Sequence, residues 1–129
     1  MNAPLTLAGR VGLSLIFIIS GWGKIAAYAG TQQYMESAGL PGGLLPLVIA
    51  LELGGGLAIL TGTFTRWIAL ALAAFSLASA AVFHANLADA AQAINFWKNV
   101  AMAGGFLMLA AQGAGALSLD HLWARRRNA

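Results

Sequence analysis

The sequence predicts an all-α integral membrane protein, a four-transmembrane-helix bundle with both the N and C termini cytoplasmic. Three observations carry this. Hydrophobic residues make up 60% of the 129 residues and charged ones 9%, against roughly 25% charged in a soluble domain. Apolar stretches at about 5–25, 44–62, 66–87 and 94–117 use nearly the whole chain, so a single domain over 1–129 is expected. The basic residues also divide by side. Arg10, Arg66, Arg125, Arg126 and Arg127 fall at one end of the spans and Lys24 and Lys98 at the other, which makes the arginine side cytoplasmic by the positive-inside rule.

The first span has its unbroken apolar part at Val11 to Ser20, with Arg10 near its start. A cleaved leader is the rival reading, because Ala27-Tyr28-Ala29 resembles an A-x-A site. Lys24 between the apolar run and that site argues for retention. In the connection that follows, Thr31 is placed to cap a short interfacial helix through Glu36, and Gly39, Pro41, Gly42 and Gly43 stop it. The second span, Leu44 to Gly62, leads through a tight turn at Thr61 to Thr65 into the third, where Trp67 fits an interfacial anchor. Ser76, Ser79 and Ala80 give the third span a small-residue face, and Ala101, Gly104 and Gly105 do the same for the fourth. A tail with Asp120, His121, Trp123 and the arginine run completes the chain. Such a run meets anionic headgroups.

Composition also excludes. No basic face lies on a soluble module, so nucleic acid is not an expected partner. Cysteine is absent, which removes disulfides, a thiolate nucleophile and iron–sulfur ligation by cysteine. His84 and His121 are expected on opposite membrane faces, so no metal or haem is expected between them. Gly54, Gly55 and Gly56 read as a helix contact surface, since a phosphate loop needs a strand before it.

Glu52 is the residue around which the chain is organised. The 19-residue stretch that carries it makes a helix of ~28 Å, and Glu52 lies ~12 Å below its outer start. A carboxyl group at that depth is costly unless protonated, paired or facing a wet cavity. Two roles stand open. Glu52 handles a proton in a small pocket, or it forms a structural ion pair with Lys24, or with Arg10 from the cytoplasmic side. Lys24 and Lys98 lie near enough to the outer interface to snorkel, the ordinary fate of such lysines. The alternative is that one neutralises Glu52 while the other donates to a carbonyl or an anionic group. His84 is either an interfacial residue with a satisfied hydrogen bond or a proton relay from Glu52 to outer water.

The ordered pieces Arg10, SGWGK (Ser20 to Lys24), GLP (Gly39 to Pro41), ELGGG (Glu52 to Gly56) with Gly62, His84, Lys98-Asn99 with Gly104-Gly105, and GAGALSLD (Gly113 to Asp120) resemble the DoxX family over nearly the whole chain. The resemblance implies a small four-helix protein of the bacterial cytoplasmic (inner) membrane. Some members are associated with thiosulfate:quinone oxidoreduction or with protection against oxidative and quinone stress. On that basis the expected function is a membrane subunit that binds a quinone and serves an oxidoreductase partner. Glu52 and His84 would carry protons, and Lys24, Lys98 and Asn99 would contact the ligand. Two other classes remain: a lipid or small-amphiphile binding or transport protein without redox chemistry, and an assembly protein in which Arg10, Lys24 and Glu52 form a dry network. Small-residue surface makes a homo-oligomer plausible.

Overall fold

The computed structural model describes residues 2–128, and all regular structure among them is helical. Helix α1 (Ala3–Ala26) is started by Asn2, whose side chain accepts the Leu5 amide at 3.3 Å. Pro4 sits in the first turn, where a missing N–H costs nothing. The backbone leaves helical geometry at Ala27, and α2 (Tyr28–Ser37) follows at once. It therefore starts three residues before Thr31 and not at a Thr31 cap. The Thr31 hydroxyl donates to the Ala27 carbonyl at 2.8 Å, so it is satisfied on the preceding turn and does not mark a helix start.

Helix α3 (Gly42–Thr61) opens with a 3-10 turn at Gly42–Leu44 and contains a π turn at Ala50–Gly54. The tight turn after it has Gly62 at φ 74° and Phe64 at φ 47°. Phe64 is strained there, as a bulky non-glycine residue in the left-handed region. Helix α4 (Thr65–Phe83) ends four residues before its expected limit, because the backbone at His84 turns out of the helix. Helix α5 (Ala90–Gln112) lies about five residues earlier than 94–117. Asp89 accepts the amides of Ala91 and Gln92 and so fixes the start, and Gly113 at φ 83° fixes the end. Helix α6 (Leu119–Arg127) is capped by Ser118 and carries its three arginines in the last turn, where the helix dipole favours cations.

Helices α1, α3 and α4 are long and apolar enough to cross a membrane. Helix α5 has 23 residues, also a spanning length, but Gln92, Asn95, Lys98 and Asn99 make its first half more polar. The core joins Phe17 of α1, Ile59 of α3, Leu72 and Ala73 of α4, and Ala103 and Phe106 of α5. Phe17 meets the edge of the Phe106 ring at a centroid distance of 5.5 Å. Much large apolar surface faces outward, including Ile19, Leu47 and Met108, as lipid contact requires.

Glycines set the α1–α3 approach. A Cβ on Gly21 would lie 2.9 Å from the Leu53 amide nitrogen, and one on Gly56 would lie 3.1 Å from that of Ile18. Backbone faces side chain or backbone here with nothing between. Gly56→Val is expected to lower stability by about 2 kcal/mol, read as an earlier midpoint when helix content is followed in a detergent-to-SDS titration. Gly104→Ala, at a glycine with open space beside it, is expected to leave that midpoint unchanged or raise it slightly.

Candidate functional site

Glu52 sits inside the π turn and is 3% exposed. Accommodating one extra residue in a turn shifts the face of a helix by about 100°. That lets the carboxylate face α1 while Gly55 and Gly56 still pack against their neighbours. Turns of this kind concentrate at functional sites. Lys24 answers from the last turn of α1. Its Nζ lies 2.8 Å from Glu52 Oε1 and 3.2 Å from Oε2, and it also donates to Ser20 Oγ at 2.7 Å. Ser20 is four residues before Lys24, hence on the same helix face. The lysine side chain is 26% exposed, so the pair reaches from the buried acid toward open space.

The open space is a half-open cavity of about 400 Å³. Glu52, Lys24, His84, Lys98 and Asn99 all line it, brought from α3, α1, the end of α4 and α5. Asn99 is buried, whereas Lys98 is exposed and its Nζ donates to Asn95 Oδ1 at 3.1 Å. The remaining wall is mostly apolar, with Phe17, Phe75 and Met102 among its residues. Helix α2 closes one side, where the Tyr34 ring stacks on Phe83 with centroids 5.1 Å apart. With Glu52 neutralised by Lys24, the cavity keeps the Lys98 cation and the polar tips of Asn99 and His84. It can therefore hold a flat apolar body and donate to its oxygens.

Arg10 does not join Lys24 and Glu52. It precedes Lys24 by 14 positions in the same helix, which is ~21 Å, and α3 runs antiparallel so that Gly62 lies beside Arg10. Its guanidinium, 1% exposed, donates from Nη2 to the Leu117 carbonyl, and Asp120 supplies the nearby opposite charge. The three-residue network expected from sequence is thus a pair at one end and a separate arginine at the other. His84 and His121 line different cavities. Among the described residues no group of three or more His, Asp or Glu side chains is placed to hold a metal.

Some cavity residues escape the sequence reading. Ser76 and Ser79 read as packing residues, yet both line the cavity. The Ser76 hydroxyl donates to the Leu72 carbonyl at 2.8 Å. The only signal for them is that they precede His84 in the same span, by eight and five positions. Tyr34 and Thr31 come from the connection, where no periodicity points inward.

Spanning helices gathered around one polar-mouthed cavity define a multi-pass membrane protein with a site of small-molecule size. The chain belongs to the DoxX family, whose profile matches residues 5–85 and so includes Lys24, Glu52 and His84. It is 54% identical over 116 residues to the inner membrane protein YqjF of Escherichia coli (strain K12), covering 90% of this chain and 89% of that one. The inner membrane protein YphA of the same organism is 42% identical over 123 residues, covering 90% and 88%. The protein named "Putative oxidoreductase CatD" of Bacillus subtilis (strain 168) is 38% identical over 61 residues, about half of each chain. No solved structure matches. The protein is accordingly an inner-membrane, multi-pass protein.

Proposed function

We propose that this chain is a quinone-binding membrane subunit that serves an oxidoreductase partner. The observation behind the reading is the convergence of Glu52, Lys24, His84, Lys98 and Asn99 on one cavity with otherwise apolar walls. A volume of about 400 Å³ lies within the range of small-molecule sites. It suits a single-ring head group whose tail leaves through the open side. The partial similarity to a protein named for oxidoreductase activity supports the redox part.

A quinone, when bound, supplies the electron-accepting chemistry. Asn99 and Lys98 orient it by donating to a ring oxygen, and Phe17 and Phe75 exclude water from its faces. Glu52 is the group that takes up and gives back a proton, and Lys24, which donates to Ser20 Oγ and to the carboxylate together, balances its charged form. His84 connects the cavity to outer water. In this reading α5 is the fourth span, both termini are cytoplasmic, the cavity opens outward, and residues 1–129 act as one domain. The positive-inside distribution of the arginines agrees with that orientation. Electrons would come from a partner protein, and a homo-oligomer would present one such cavity in each copy.

The experiment is a thermal-shift titration of purified protein with a short-tailed benzoquinone. Wild type is expected to gain stability that grows with ligand concentration, by about 2.7 kcal/mol at 100 times Kd. Ser79→Phe, which fills the cavity without touching a charge, is expected to abolish the gain. An equal gain in both proteins would remove the cavity as the site. A second reading, a lipid or amphiphile site without redox chemistry, draws on the same apolar walls and open side. It predicts the gain with a saturated-chain amphiphile and none with the quinone.

A further inference from the structure

The opposite end of the molecule holds a second, larger cleft of about 830 Å³. It lies between the start of α1, the start of α4, the loop from α5 to α6, and α6 itself. Arg66 and Arg127 line it, with His121, and neither arginine has an acidic partner within salt-bridge distance among the described residues. The acid that also lines it is Asp120. Both of its carboxylate oxygens are already engaged, Oδ1 by the Phe64 amide at 2.7 Å and Oδ2 by the Thr65 amide at 2.8 Å. Thr65 lines the same cleft, is 1% exposed, and has an Oγ1 without a hydrogen-bond partner. Behind this wall stands the buried Arg10, whose Nε and Nη1 are likewise unpartnered. A concave surface with a cationic excess and an unmet buried hydroxyl calls for an anion with several acceptor oxygens.

The surroundings say which anion. Trp67 is 75% exposed and Phe64 64%, and Trp123 meets Phe64 at a centroid distance of 5.9 Å. These amphipathic and apolar rings flank the cleft where α4 begins and α5 ends, the level at which membrane proteins meet headgroups. We propose that the cleft binds one anionic phospholipid, with Arg66 and Arg127 on its phosphate and Thr65 donating to a phosphate oxygen. The acyl chains then run along the exposed face beside Trp67. This is independent of what occupies the Glu52 cavity. It assigns the lipid to a built site, not to the diffuse charge of the whole basic tail: Arg125 and Arg126 belong to the same helix turn as Arg127 but do not line the cleft.

The test is native mass spectrometry of the full chain in neutral detergent, titrated with phosphatidylglycerol, with phosphatidylcholine of the same chains, and with inorganic phosphate. Expected is one saturable phosphatidylglycerol adduct that inorganic phosphate does not displace, and weaker phosphatidylcholine binding. R66Q/R127Q is expected to weaken the adduct roughly 30-fold, at about 1 kcal/mol of attraction per arginine, and R125Q/R126Q, which lie outside the cleft, about twofold or less. Thr65→Val guards against a folding artefact. Losing a hydroxyl that has no protein partner leaves folding intact, so a loss of roughly tenfold in lipid binding reports the phosphate contact. The proposal is overturned if both arginine pairs weaken the adduct equally, if Thr65→Val leaves it unchanged, if the two lipids bind alike, or if inorganic phosphate alone binds and displaces the lipid.

Discussion

Lys24→Met is expected to destabilise the protein by about 3 kcal/mol, because it leaves the Glu52 carboxylate buried with no compensating charge. The companion change, K24M/E52M, is expected to cost less than the single one. Removing both partners takes away the desolvation penalty along with the attraction, and methionine fills similar space in an apolar wall. A double-mutant cycle measured by SDS-unfolding midpoints checks this, with Glu52→Met completing it. A coupling near zero would mean that the ammonium, a quarter exposed, is held by Ser20 and water and gives the acid little.

The second large effect is expected at the other end. Asp120 joins three things: it accepts the Phe64 and Thr65 amides, its own amide donates to the Gly62 carbonyl at 2.9 Å, and it stands within electrostatic reach of buried Arg10. Asp120→Ala frees two amides at the start of α4, releases the strained Phe64, and leaves the Arg10 cation without its counter-charge. A loss of about 3 kcal/mol is expected. Hydrogen exchange is the local readout. Amides at 62–66 and 118–127 should exchange faster, while those of the π turn around Glu52 should not. Faster exchange throughout would mean that the tail supports the whole bundle and not one corner.

These two ends differ in how far the sequence discloses them. The spans follow from apolar runs, and their limits from turn residues. Where a capping residue decides, as Asp89 and Gly113 do for α5, the expected limits drift by about one helical turn. Glu52 stands out because one acid in an apolar stretch needs an explanation, and Lys24 is near it in any antiparallel pairing of the first two spans. The π turn is invisible beforehand, since an inserted residue leaves composition unchanged and blurs periodicity only locally. Arg10 illustrates the opposite limit. Depth along α1 already places it ~21 Å from Lys24, but its partners Leu117 and Asp120 lie more than a hundred positions away in the chain, and no local pattern links them. A separation of 56 and 55 positions likewise hides the clasp of Asp120 on Phe64 and Thr65. The cavity is read only in part: its charged rim is legible as isolated polar residues in apolar helices, whereas Ser76 and Ser79 look like packing surface.

Mass spectrometry of small molecules retained by the gently purified protein, beside Glu52→Gln prepared in the same way, tests the central claim most directly. The account predicts a quinone carried by wild type and lost from the variant, because the amide cannot hold the cavity's proton or anchor Lys24. Ordinary phospholipid alone, retained equally by both, would contradict it and leave Glu52 as half of a structural ion pair.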